Sequence, residues 1–197
     1  MKIERPDAPG WLAESWEQWG REYAARLEAN PAHRFTWRQI EGEKVNQKLL
    51  PLLKSMTASH CSFCDKFSMG GGDVKETIEH FRPKSRFPHL AYQWGNLFLA
   101  CHYCQEKREA FHELLLKPDE VEYEFSRYFV FNFRTFKIEP RRDSGISAAD
   151  QRRAEITLSL YKLNYPGREQ AREREHWQYQ NDPNPVIDDY SYRYLFL

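Results

Sequence analysis

Residues 99–109 read LACHYCQEKRE, an apolar run that closes on a Cys-x-x-Cys pair and passes straight into charge. Cys101 and Cys104 are one half of a metal knuckle, and Cys61 and Cys64, in HCSFCD, are the other. The chain has four cysteines, and these two pairs use them all. The opening MKIERPDAPGWLAESW has acids and prolines where a secretory leader carries an apolar run, so the expectation is a cytoplasmic chain with reduced thiols. Two Cys-x-x-Cys pairs with no cysteine to spare then predict a four-thiolate structural Zn2+ site. His60 and His102 flank ligands, but with four thiolates present they read as bystanders.

Between Cys64 and Cys101 lie 36 residues, more than the roughly 15 to 20 of common double knuckles. The metal ties the ends of an insert, and chemistry is expected inside it. Glu79-His80 falls near the end of a predicted strand, 77–82, and Asn96 starts the next, 96–101. Phosphodiester cleavage needs a base for water, a cation on the scissile phosphate, and something to orient the base. Neutral imidazole suits His80 to the first task. Glu79 can hold a hard cation through oxygen. Asn96 can either fix the His80 ring or hold the loop between the strands. Arg82, Lys84, Arg86, Lys107 and Arg108 supply positive charge for a phosphate backbone. Taken singly, a Glu-His pair or an Asn before a strand is ordinary structure; the pattern enclosed by two knuckles is harder to reach by chance.

Together these residues resemble the HNH, or ββα-metal, endonucleases. The resemblance is carried by EH at 79–80, P-K at 83–84, WGNL at 94–97 and CHYCQEKR at 101–108, with the zinc pair at 61–64. From about residue 36 to 177 the chain is similar to the HNH nuclease subunit of Septu-type and retron-associated anti-phage defence systems (PtuB-like). It shares WRQI, HCSFCD, EHFRPKS and RRAEITLSLYKLNYPGREQARERE. The resemblance implies an α+β fold, a mostly helical chain around a zinc-bound ββα-metal core. It makes His80 the general base, Glu79 a ligand of catalytic Mg2+ or Mn2+, Asn96 the middle motif residue, and an ABC-type or SMC-like ATPase (PtuA-like) the partner. One position departs: Gln105 stands where His or Asn usually follows the last cysteine. Its amide oxygen still suits a hard cation, with one more methylene and one more rotor. The alternative is a zinc-knuckle adaptor or nucleic-acid-binding protein whose nuclease site has decayed.

Working outward, three segments are expected: a helical region at 1–56, the zinc-bound nuclease core at 57–117, and a strand-plus-helix extension at 118–197 that includes a possible docking tail. Trp11, Trp16, Trp19, Tyr23 and Leu27 recur at helical spacing over 9–29, a core or docking stripe. Further helices are expected at 43–56, from just after Cys104 to Leu116, at 148–163 and at 167–180. Phe129, Phe131 and Phe133 alternate in a predicted strand over 128–138. The tail DDYSYRYLFL alternates aromatics and reads as an edge strand or a docking peptide. GGG at 70–72 reads as a flexible turn, since it lacks the Lys-Ser/Thr of a phosphate loop. No run of about 18 apolar residues occurs, so no membrane span is expected. Basic and acidic groups balance at 29 each, unlike a chain that captures nucleic acid unaided. That balance fits a weak binder delivered to its target by a partner.

Overall fold

The computed structural model describes residues 2–71 and 75–197. The fold is α+β, with seven α-helices and three two-stranded antiparallel sheets among the described residues. The first half runs α1 (Gly10–Ala13), α2 (Trp16–Ala29), β1 (Gln39–Ile40), β2 (Glu43–Lys44) and α3 (Val45–Thr57). The middle holds β3 (Glu76–His80), β4 (Leu97–Cys101) and α4 (His102–Gln105). The last part has α5 (Phe125–Tyr128), β5 (Phe129–Asn132), β6 (Lys137–Pro140), α6 (Ala148–Leu160) and α7 (Arg168–Asn181). One hydrophobic cluster draws on all of them except β2, from Ile3 through Leu49, Leu53, Phe98 and Tyr128 to Leu195. Gly72 of the GGG turn lies outside the described residues.

The helical stripe at 9–29 forms two helices, α1 and α2, and its face is core. Trp16, Trp19 and Leu27 pack against the cluster, and Tyr23 is buried. Gly20 permits the closest approach: a methyl there would sit 2.2 Å from the carbonyl oxygen of His89. Its bare backbone lets α2 lie directly on the short 3-10 turn Pro88–Leu90. That turn belongs to the long connection between β3 and β4, so α2 acts as a floor beneath the site. Helix α3 carries Pro51 inside it and buries Val45, Leu49 and Leu53 at fourfold spacing. Ala58 and Ser59, both with positive φ, then turn the chain into the first cysteine pair.

Three expectations are corrected. The helix expected from Cys104 to Leu116 does not form; α4 covers only His102–Gln105, and turns follow. Arg108 adopts a left-handed φ of 51°, and the Lys107 side chain turns inward beneath β3, so the backbone cannot keep helical pitch. The strand expected over 128–138 folds back on itself as the β5–β6 hairpin, with Phe131 opposite Ile138. Asn132 drives the reversal, its Oδ1 accepting from the amides of Arg134 and Thr135. The tail is no edge strand. Tyr192, Tyr194 and Leu195 are buried, and the amide of Tyr192 donates to the Asp65 carbonyl at 2.7 Å. Arg193 binds the Asp65 carboxylate through Nε and Nη2, stapling the tail to the loop after Cys64.

Candidate active site and cysteine cluster

The β3–β4 ladder runs from Glu76 opposite Cys101 to His80 opposite Leu97. One end therefore carries a cysteine and the other carries the Glu-His pair. At the cysteine end, the Sγ atoms of Cys61, Cys64, Cys101 and Cys104 all lie within 4.8 Å of one another, and all four residues are buried. Cys64 and Cys101 are 3.7 Å apart, far beyond a disulfide bond of about 2.05 Å. It is close to the roughly 3.8 Å that four sulfurs take around zinc at about 2.3 Å each. Burial pushes the Cys61 and Cys104 thiols up, whereas hydrogen bonds from Cys101, Cys104 and Cys61 hold Cys64 down. Arg168 adds positive charge, its Nη2 lying 3.6 Å from the Cys104 sulfur. Four buried cysteines with a cationic neighbour can hold a zinc ion. His60 stands aside, with its ring nitrogens 2.6 Å from the Ala58 carbonyl and 3.0 Å from that of Tyr190.

At the other end, a cavity of about 340 Å³ brings together Glu79, His80, Lys84, Gln105, Arg108 and Glu109. His80 is 6% exposed, stacked on Trp37 at 5.6 Å and met edge-on by Phe35 at 5.5 Å. Its Nε2 lies 3.0 Å from the Ala91 carbonyl oxygen, which can only accept. Nε2 must therefore carry the proton, and Nδ1 keeps its lone pair. Burial, aided by the Lys84 charge, drives the imidazole pKa down to about 3, so the ring is neutral at any ordinary pH.

Glu79 is buried too, and burial raises its carboxyl to about 7 against the opposing pull of Lys107. The Lys107 ammonium lies 2.9 Å from Glu79 Oε1 and donates to the carbonyls of Phe81 and Ala110 at 3.3 and 3.2 Å. Gln105 donates Nε2 to the Ile78 carbonyl at 3.4 Å, which leaves its amide oxygen for another partner. Glu79 and Gln105 thus offer oxygen donors in one cavity. A small divalent cation suits such a set, because Mg2+ keeps several waters and takes one or two protein carboxylates.

One site assignment is narrowed and another changes. Asn96 does not touch the His80 ring. Its Oδ1 accepts from the Arg82 amide at 2.7 Å, and its Nδ2 donates to the Arg82 and Leu90 carbonyls at 3.0 Å each. The amide is fully spent on backbone, so Asn96 is a positioning residue that holds the loop, the second of its two expected roles. Lys107 cannot contact nucleic acid, because its side chain is 0% exposed. Of the other basic residues, Lys84 and Arg108 line the cavity. Arg82 pairs with Glu113 and lies over Phe87 and Phe111, and Arg86 sits beside the same rings. The Ala91 carbonyl had no signal in the sequence. The Lys107–Glu79 pair did have one: a carboxylate inside an apolar strand needs a buried cation.

Compared with known proteins, the chain matches no family model and no curated protein. Among the described residues, no helix is long and apolar enough to cross a membrane.

Proposed function

We propose that this protein is a metal-dependent HNH-type endonuclease, with β3, β4 and the short α4 as its ββα-metal core. The observation that carries this is the His80–Ala91 hydrogen bond, which fixes Nδ1 as the free base in a cavity shared with Glu79 and Gln105. His80 Nδ1 takes a proton from a water, whose oxygen attacks phosphorus while the bond to the leaving oxygen breaks. Glu79 and Gln105 would hold a divalent cation, Mg2+ or Mn2+, which when bound would supply positive charge to offset the charge that develops as the phosphodiester is cleaved. Lys84 and Arg108 draw the phosphodiester in. As the phosphate neutralises the field of Lys84, it relieves one of the influences that depress His80 and makes the imidazole a better base. DNA is the favoured substrate on resemblance alone.

The cytoplasmic defence-complex role and the ATPase partner rest on the resemblance and on the 29-to-29 charge balance, which leaves little intrinsic affinity for a polyanion. Co-purification with the partner, and cleavage with and without nucleotide, test that part. The catalytic part is tested by His80→Ala. It should lose about a hundredfold to ten-thousandfold of Mg2+- or Mn2+-dependent nicking and keep its zinc and its fold. A variant that cleaves like the parent removes His80 as the base. The Glu79–Lys107 pair also supports a second reading, a nucleic-acid-binding adaptor whose cation site is closed by its own lysine. No Mn2+ binding by calorimetry in the zinc-loaded protein would favour the adaptor.

A further inference from the structure

Beside the cysteine cluster, and away from Glu79 and His80, a second cavity of about 200 Å³ opens at the start of α7. Lys66, Arg168 and Arg174 line it, together with Tyr103 and Tyr165. No ion pair engages Lys66 or Arg174 among the described residues. Arg168 is 7% exposed, and while one end of its guanidinium meets Cys104, its Nη1 is buried with no partner. Arg168 Nη1, buried without a hydrogen-bond partner at the first turn of a 14-residue helix, offers a donor to an anion held by Lys66 and Arg174, while the other end of the guanidinium faces the cysteine sulfurs; the helix dipole adds to it.

The tyrosines suggest which anion. Tyr103 and Tyr165 are 37% and 42% exposed, high for large aromatic rings in a chain whose core is rich in them. Their centroids lie 5.8 Å apart with the planes 33° from parallel. A flat ring cannot slip between them, since two van der Waals layers need about 7 Å. His102 packs on Tyr103 at 3.9 Å and the Lys162 ammonium lies over Tyr165 at 5.8 Å, so a base would stack on the part of each ring that stays exposed. The shelf also adjoins the candidate active site. His102, which lines the first cavity, directly precedes Tyr103, which lines the second, on the same short helix. Lys162, near the Tyr165 ring, pairs with Glu106 on the rim of the first cavity, so an ion pair spans the gap between the two cavities.

We propose that a single-stranded stretch of nucleic acid leaves the active-site cavity over Tyr103 and Tyr165, and that one of its phosphates seats among Lys66, Arg168 and Arg174 at the start of α7. Bases stacked on exposed aromatics beside a basic groove are how single strands are held without sequence choice. Duplex bases, already stacked on each other, gain nothing from the shelf. The strand's identity rests on the nuclease reading above, but the binding site can be tested without cleavage.

The test uses the zinc-loaded full chain without added Mg2+ or Mn2+, with fluorescein-labelled single-stranded DNA and RNA oligonucleotides and the matching DNA duplex, read by anisotropy. Tyr103→Ala with Tyr165→Ala should weaken single-strand binding about tenfold or more. Lys66→Ala and Arg174→Ala should each flatten the dependence of log affinity on log salt by about 0.7. Zinc content and circular dichroism confirm that the variants are folded. Single-strand binding within about twofold of the parent in the double tyrosine variant overturns the proposal, as does an equal loss for the duplex. His80→Ala separates the two readings. If it binds through the tyrosines and the parent does not cleave, the strand site stands and the nuclease assignment falls. If the parent cleaves while the tyrosine variants bind normally, the nuclease stands and this site falls.

Discussion

Lys107→Met isolates the interaction on which the proposed cation site depends. The side chain is fully buried, and its ammonium is the direct counter-charge of Glu79 at 2.9 Å. Methionine nearly fills the same space, so the change removes charge more than volume. Breaking a buried pair by deleting one partner costs about 3–5 kcal/mol, because the remaining charge is left in a medium that solvates it poorly. The sign of the pH dependence follows from Glu79, whose folded value of about 7 lies above its ordinary 4.5. A carboxyl raised in this way contributes stability that is complete below the unfolded value and is lost as pH rises through the folded one. Lys107 is the chief influence opposing burial, so without it the folded value climbs further. The variant's deficit should therefore widen between about pH 7 and about pH 9, by up to about 1.4 kcal/mol per pH unit. Urea unfolding measures this directly, with zinc in equal excess throughout so that bound metal adds the same to each protein. Glu79→Gln on top of Lys107→Met should recover about 2 kcal/mol or more at the alkaline end. A deficit below about 1 kcal/mol, or one that does not change with pH, would refute a charged Glu79–Lys107 pair.

Three further outcomes follow from other contacts. Cys101→Ser should lower zinc stoichiometry and unfold the β3–β4 region by circular dichroism, since thiolate zinc contributes on the order of 10 kcal/mol to small metal-tied folds; a folded, zinc-free variant would sink the structural-metal assignment. Asn96→Ala deletes three hydrogen bonds to backbone, and should cost about 2–4 kcal/mol in thermal unfolding; no change in melting would mean that the loop holds itself. Gly20→Ala places a methyl against the His89 carbonyl and should cost about 1–3 kcal/mol. It should also slow cleavage by shifting Ala91 away from His80, whereas an unchanged variant would show that the α2 floor does not set the ring.

The cysteine cluster was legible because metal knuckles carry their spacing in the sequence, and Cys61, Cys64, Cys101 and Cys104 meet as that spacing requires. The two central strands were legible to within a residue or two, since TIEHFR and NLFLAC are apolar enough to need partners. The strand expected over 128–138 was broken by local turn chemistry at Asn132, whereas the other two misplaced elements share one cause, the priority of tertiary contacts over local propensity. CQEKREAFHELLL has helical composition, yet burying the Lys107 ammonium under β3 ends the helix at Gln105. The aromatic alternation in DDYSYRYLFL marks burial rather than a sheet edge, because the Asp65–Arg193 pair supplies an anchor 128 residues away in sequence. Asn96 shows a different limit. Its type and place were evident, but whether an amide faces a ring or a loop depends on backbone that no spacing reveals.

The two ends of the β3–β4 ladder do not touch. Four residue steps at about 3.4 Å separate Cys101 from the level of His80, so the cysteine cluster works on the Glu-His pair at a distance of about 14 Å. Strand register is its means. Antiparallel strands usually keep register by alternating apolar and polar faces, but β4 is buried at all five positions, so LFLAC offers no alternation to hold it. A slip of one residue would exchange the faces of Glu79 and His80, taking the imidazole from the Ala91 carbonyl and the carboxylate from Lys107. Cys101 ends the strand inside the sulfur cluster, and Asn96, just before its other end, ties the chain to Arg82. A strand pinned at both ends has one register available. The cysteines therefore matter to the candidate site by fixing which side of β3 each of its two ionisable groups faces, and this explains why a knuckle is split around this particular insert.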